Sequence, residues 1–193
     1  MIIVSEKSID ATEAYFEVLT EKEASEISIR FAVEQPYMLI YLQSMSATEE
    51  EETEEEAEDG DDESDALTDN PLTEELSYYA MFIWKAFELE AGKISLINEQ
   101  EIEEQSTASM LEMQNLLEVS AGGDPETIAK QFEKMRQPFL ITYLLASFFG
   151  DVSDDDFDED FEDEEANYLF LICNQLIMMI DEKVNGGSRL KVV

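Results

Sequence analysis

The sequence contains no histidine. That absence removes Ser-His-Asp triads, Cys-His dyads, acid–base catalysis by imidazole and nearly all catalytic zinc sites. It also removes the di-iron bundle motif, which needs Glu-x-x-His pairs. Cysteine occurs once, at Cys173, so no disulfide forms within one chain and a reducing compartment is expected. Glycine (7) and proline (4) are scarce among 193 residues. Sandwiches and barrels need many turns, so this scarcity points to helices. A glycine-rich phosphate loop is missing too. Gly122-Gly123 lacks the flanking pattern and reads as a helix end.

Long apolar runs are also lacking. The longest, 138–150 and 168–180, are near 13 residues, against the roughly 20 that a membrane span needs. They read as buried core helices. The opening segment has no basic region and no long apolar stretch, so it is not read as a signal peptide. A cytoplasmic location is the expectation, with no membrane contact.

Basic residues are few: 11 against 48 acids, for a formal net charge of −37. Residues 49–70 hold 14 acids and no base, and residues 151–165 hold 11 acids and no base. Together the two runs carry 25 of the 48 acids. Such a field repels nucleic acid and anionic lipid and attracts basic partners. The basic clusters, Lys130, Lys134 and Arg136 and then Arg189 and Lys191, are too small to reverse it. Direct nucleic-acid binding is therefore not expected.

The apolar spacing predicts an all-α bundle of about eight helices. Residues 8–19 place Ile9, Ala11, Tyr15, Phe16 and Leu19 near one helical face. Thr20 caps a helix over 21–34 with Ile27, Phe31 and Ala24 inward. Pro36 opens a third helix over 36–46, apolar on almost every side and so expected to be central. After the first acidic run, Thr73 begins a helix over 74–91, closed by Gly92. A helix over 99–119, one over 125–136, one over 138–149 and one over 164–181 follow. The acidic runs, poor in apolar residues, are expected to stay disordered or to fray off a helix end.

The order of parts repeats. Gln35-Pro36-Tyr37-Met38-Leu39-Ile40-Tyr41-Leu42 aligns with Gln137-Pro138-Phe139-Leu140-Ile141-Thr142-Tyr143-Leu144. After each acidic run, Glu74-Glu75-Leu76-Ser77-Tyr78 aligns with Glu164-Glu165-Ala166-Asn167-Tyr168. The chain is thus expected to hold two pseudo-repeats of four helices, packed as one globular unit. The first is 1–97 with an acidic insert at 47–72, and the second is 98–193 with an insert at 150–165.

Carboxylate pairs are plentiful, but acids this dense form pairs everywhere, so they carry no specific signal for glycoside hydrolysis. The run from Asp154 has alternating carboxylates and Glu165 at its twelfth position. Its sixth position is Glu159, where a calcium loop requires glycine. No metal, cofactor or catalytic residue is therefore assigned. Cys173 lies among Leu171, Ile172 and Leu176 and is expected to be an inert core thiol. Trp84, Tyr78, Tyr79 and Phe82 read as core, or else as an aromatic patch for a partner. Phe157 and Phe161 are unusual, because they interrupt a run otherwise too charged to pack. Asp154, Asp155, Asp156, Phe157, Asp158, Asp160 and Phe161 are the candidate partner-binding segment.

The expected function is a non-enzymatic acidic interaction protein, an adaptor, inhibitor or chaperone-like module that binds a basic protein. One alternative is a nucleic-acid mimic that inhibits a DNA- or RNA-binding protein. A second is an enzyme using carboxylates or a metal. An exposed apolar face would equally serve a homo-oligomer.

Overall fold

Polar side chains at the chain's punctuation points start the helices. The computed structural model of the protein describes residues 1–53, 71–108, 136–149 and 164–186. Helix α1 (Glu6–Glu17) opens on Ser5, whose hydroxyl accepts from the Ser8 amide. Helix α2 (Glu21–Glu34) opens on a capping box: Thr20 accepts from the Glu23 amide, and the Glu23 carboxylate accepts from the Thr20 amide at 3.0 Å. Such a cap is worth about 1 kcal/mol. Proline opens α3 (Pro36–Thr53), α4 (Pro71–Ala91) and α6 (Pro138–Phe149), at positions where a missing N–H costs nothing. Between α4 and α6 lies the helical stretch 99–108, here α5. It opens on the reciprocal pair Asn98 and Glu101, with bonds of 2.9 and 3.0 Å. Helix α7 (Glu164–Asn185) is the last. Gly92, at φ +74°, ends α4 in a left-handed conformation that other residues avoid.

The described residues are helical with no strand. Residues 125–135 of the expected helix over 125–136, and 109–119 of the one before it, lie outside the described residues. The helices run alternately between two poles, and α4 and α7 form the central pair. Phe82, Ile83, Trp84, Ala86 and Phe87 of α4 are fully buried, as are Cys173 and Leu176 of α7. Burying one large side chain of this kind contributes about 1.5–3 kcal/mol. Helix α6 flanks α7, α3 flanks α4, and α1 bridges α4 and α6. No helix among the described residues is long and apolar enough to cross a membrane.

Several expected boundaries and faces change. Helix α1 buries Ile9 and Thr12, with Phe16 and Leu19 half-buried, while Ala11 and Tyr15 face outward. The inward face is 9/12/16/19, and Thr12 can occupy it because its hydroxyl donates to the Ser8 carbonyl at 2.7 Å. In α2, Ala24 is exposed. Helix α3 is not central on every side: Met38, Tyr41 and Leu42 are buried, but Ile40 is 60% exposed. It also runs on to Thr53, seven residues into the stretch expected as insert. Finally, α4 begins at Pro71 rather than after Thr73, and α7 runs to Asn185 rather than 181.

Two short extended segments, 2–4 and 94–97, are held in the same way by glutamines. The Gln137 carboxamide accepts from the Val4 amide at 2.8 Å and donates to the Ile2 carbonyl at 2.9 Å. The Gln35 carboxamide accepts from the Ile97 amide at 3.0 Å and donates to the Ser95 carbonyl at 3.3 Å. Both glutamines are fully buried and each precedes a helix-opening proline.

Candidate interaction surfaces

The candidate segment Asp154 to Phe161 falls within 150–163, outside the described residues. Its anchor points are described. The Tyr168 hydroxyl, near the start of α7, donates to the Met45 carbonyl of α3 at 2.8 Å. Tyr79 of α4 packs on Phe148 of α6 with ring centroids 4.6 Å apart, and Phe149 packs on Phe170 of α7 at 5.9 Å. The helices that precede and follow both acidic runs thus meet at one pole. Charge accumulates there: burial, and then the nearby Glu165 carboxylate, hold Glu75 above its ordinary value.

An aromatic seam leads away from this pole between α1, α4 and α6. Tyr79 meets Tyr78 at 5.2 Å, and Tyr78 meets Phe16 edge-on at 5.5 Å. Beneath them, Phe82 stacks on Tyr143 at 4.7 Å with planes 2° apart. The Ser147 hydroxyl donates to the Tyr143 backbone carbonyl at 2.9 Å, and the Tyr78 and Tyr143 hydroxyls lie close enough to act on one another. Burial raises the Tyr78 hydroxyl, and the Glu13 and Glu17 carboxylates raise it further. Burial pushes Tyr143 up to about 12, helped by Tyr78 and Glu13, and burial with Glu75 pushes Tyr79 to about 12. Of the aromatics singled out from the sequence, Trp84 and Phe82 are core, whereas Tyr78 is 38% exposed.

The basic side chains of the described residues are already engaged. Arg30 pairs with Glu88 and Glu34 and lies 4.7 Å over the Trp84 ring. Lys85 pairs with Glu88 at 2.9 Å and lies 5.3 Å from the Tyr15 ring. Lys93 meets Glu34, Lys22 meets Glu26, Lys183 meets Glu101, and Arg136 meets Glu182 at 3.0 Å. Lys7 faces Glu90. No unpaired basic patch remains among these residues to neutralise the acids.

The opposite pole is organised around a buried carboxylate. Asp181, fully buried, accepts from Gln137 at 2.6 Å and from Asn185 at 2.8 Å through one oxygen. Its other oxygen has Arg136 at 3.7 Å. Asn185 closes the cluster by accepting from the Ile2 amide at 2.6 Å and donating to the Ile2 carbonyl at 2.9 Å. Beside this pole a cavity of about 400 Å³ is lined by Ile97, Glu101, Glu104, Met179, Glu182 and Lys183. Both oxygens of Glu101 hold Lys183, at 2.7 and 2.8 Å, so the cavity presents no free amine. Cys173 is buried, and burial pushes its thiol well above the ordinary value. Among the described residues no group of three or more acids and thiols is arranged to hold a metal ion.

Comparison with protein-family models, with curated proteins and with solved structures finds no match to this chain.

Proposed function

We propose that this protein is a non-enzymatic acidic interaction module, an adaptor, inhibitor or chaperone-like protein that binds a basic protein partner. The observation that carries this reading is the convergence of the helices flanking both acidic runs at one pole. Runs holding 25 of the 48 acids leave from and return to that single end. The engaged lysines and arginines elsewhere leave this field uncompensated. Such a field accelerates encounter with a polycation, and apolar side chains within it supply specificity. Asp154, Asp155, Asp156, Phe157, Asp158, Asp160 and Phe161 are assigned to that contact. A cytoplasmic setting accords with the lone cysteine.

The matching glutamine bonds support an internal duplication, with 1–97 and 98–193 as its two halves. Gln137 of the second half secures 2–4 at the head of the first, and Gln35 of the first half secures 94–97, immediately ahead of the second. The acidic inserts then occupy equivalent places in the two halves.

The test is a pull-down with the parent chain and with chains whose acids at 54–70 or 151–163 are changed to Asn and Gln. Captured partners are then titrated with salt. Affinity is expected to fall steeply between low and high salt and to drop on neutralisation. Replacing Phe157 and Phe161 with Ser should weaken capture while leaving the salt slope intact. Binding that ignores both salt and neutralisation would sink the proposal.

A further inference from the structure

The aromatic seam joins two properties that suit a planar cation. Tyr78 and Tyr15 are each 38% exposed, although Phe82 beneath Tyr78 is fully buried. Glu13, Phe16 and Glu17 share one face of α1, and both carboxylates lie close enough to act on the Tyr78 hydroxyl. Neither carboxylate meets a basic side chain among the described residues, in contrast to Glu34, Glu88, Glu101 and Glu182. Partly exposed aromatic rings beside unneutralised carboxylates attract cations by ring quadrupole and by charge. The same chemistry already operates within the chain, where Arg30 covers Trp84 and Lys85 faces Tyr15. The seam begins at Tyr79 and Phe148, at the pole where the helices flanking both acidic runs meet.

We infer that the seam formed by Tyr78, Tyr143 and Phe16 with Glu13 and Glu17 receives arginine side chains of the basic partner. This deepens the acidic-module reading and rests on it. Arginine is favoured over lysine because its planar, weakly hydrated head stacks on an aromatic face while its N–H groups reach a carboxylate. The acidic runs supply long-range attraction, and the seam supplies the choice among cations.

The experiment uses the full chain with fluorescein-labelled octaarginine and octalysine peptides, at an ionic strength of about 0.15 M. Affinity is read by anisotropy, and the rings are followed by ¹⁹F resonances of 3-fluorotyrosine, assigned with Tyr78→Phe. Tyr78→Leu should weaken octaarginine about two- to five-fold, the scale of one exposed cation–π contact. Tyr78→Phe keeps the ring face and should bind as the parent. Octalysine should lose less. Glu13→Gln with Glu17→Gln, both exposed, should weaken octaarginine about two- to five-fold. This pair carries the test if Tyr78→Leu disturbs folding by circular dichroism. The inference is overturned if octaarginine binds and responds to salt while the Tyr78 and Tyr143 resonances stay still and these variants match the parent. That result leaves the acidic-module reading standing. Failure of octaarginine to bind at all overturns both.

Discussion

Gln137 and Val4 stand 133 residues apart in the chain, yet the Val4 amide donates to the Gln137 side-chain oxygen at 2.8 Å in a buried site. The same carboxamide donates to Ile2 and to the buried Asp181. Replacing Gln137 with Leu strands the Val4 amide and leaves the Ile2 carbonyl and the Asp181 oxygen with Asn185 as their remaining donor. Each unsatisfied buried group costs about 1–3 kcal/mol, so Gln137→Leu should lower unfolding free energy by about 3 kcal/mol. Gln35→Leu should cost less, about 2 kcal/mol, because its bonds of 3.0–3.5 Å are longer and no buried acid depends on it. Urea denaturation measures both. A loss below about 0.5 kcal/mol, the ordinary scatter of surface substitutions, would count against the paired-bond account.

Glu88 is the hub between Arg30 and Lys85. Burial pushes its carboxyl up, but the two cations more than offset this, and it sits below the ordinary 4.5. A depressed folded value means its stabilisation is present above the unfolded value and lost as pH falls through the folded one. Glu88→Gln should therefore destabilise at pH 7 by about 1–2 kcal/mol, between the values for exposed and buried pairs. The gap between variant and parent should close as pH drops below about 4.5. A gap constant with pH argues for lost packing instead of lost charge.

Glu75 has the opposite sign. Burial first, then Glu165, raise its carboxyl. A raised folded value favours the protonated form, so the contribution is favourable below the unfolded value and is lost as pH rises through the folded one. Glu75→Gln should stabilise at pH 7 by less than about 0.5 kcal/mol, since the site is exposed. That gain should vanish in acid. Thermal melts at pH 7 and pH 4 would show it, and a destabilised variant at pH 7 contradicts the charge crowding described at this pole.

Cys173 should resist a disulfide reagent in the native protein, because the thiolate is the reactive species and burial disfavours it. Labelling should follow the opening of α7 and accelerate together with urea unfolding. Rapid native labelling would contradict the buried placement.

Some helix starts were legible because their chemistry is local. Thr20, Pro36 and Pro138 marked boundaries that depend on residues within one turn, while the equally local Ser5 and Pro71 went unread. The inward face of α1 was misread because Thr12 hides its hydroxyl in a bond to its own helix, which hydropathy does not register. The extended segments escaped notice because their partners are side chains 62 and 133 residues away. Gln35 and Gln137 were visible as repeated letters but not as clamps, since a polar residue before proline reads as a helix end. Tyr78 read mainly as core. Its partial exposure depends on how α1 and α6 flank α4, which spacing within α4 does not encode.

The hold of Gln137 and Asn185 on residues 2–4 bears on the order of assembly. Synthesis delivers Ile2 and Val4 more than 130 residues ahead of these hydrogen-bond partners. Closing so long a loop is deferred until much of the second half exists. Residues 2–4 are therefore secured only after Gln137 and Asn185 have been made, and their docking reports that α6 and α7 are in place.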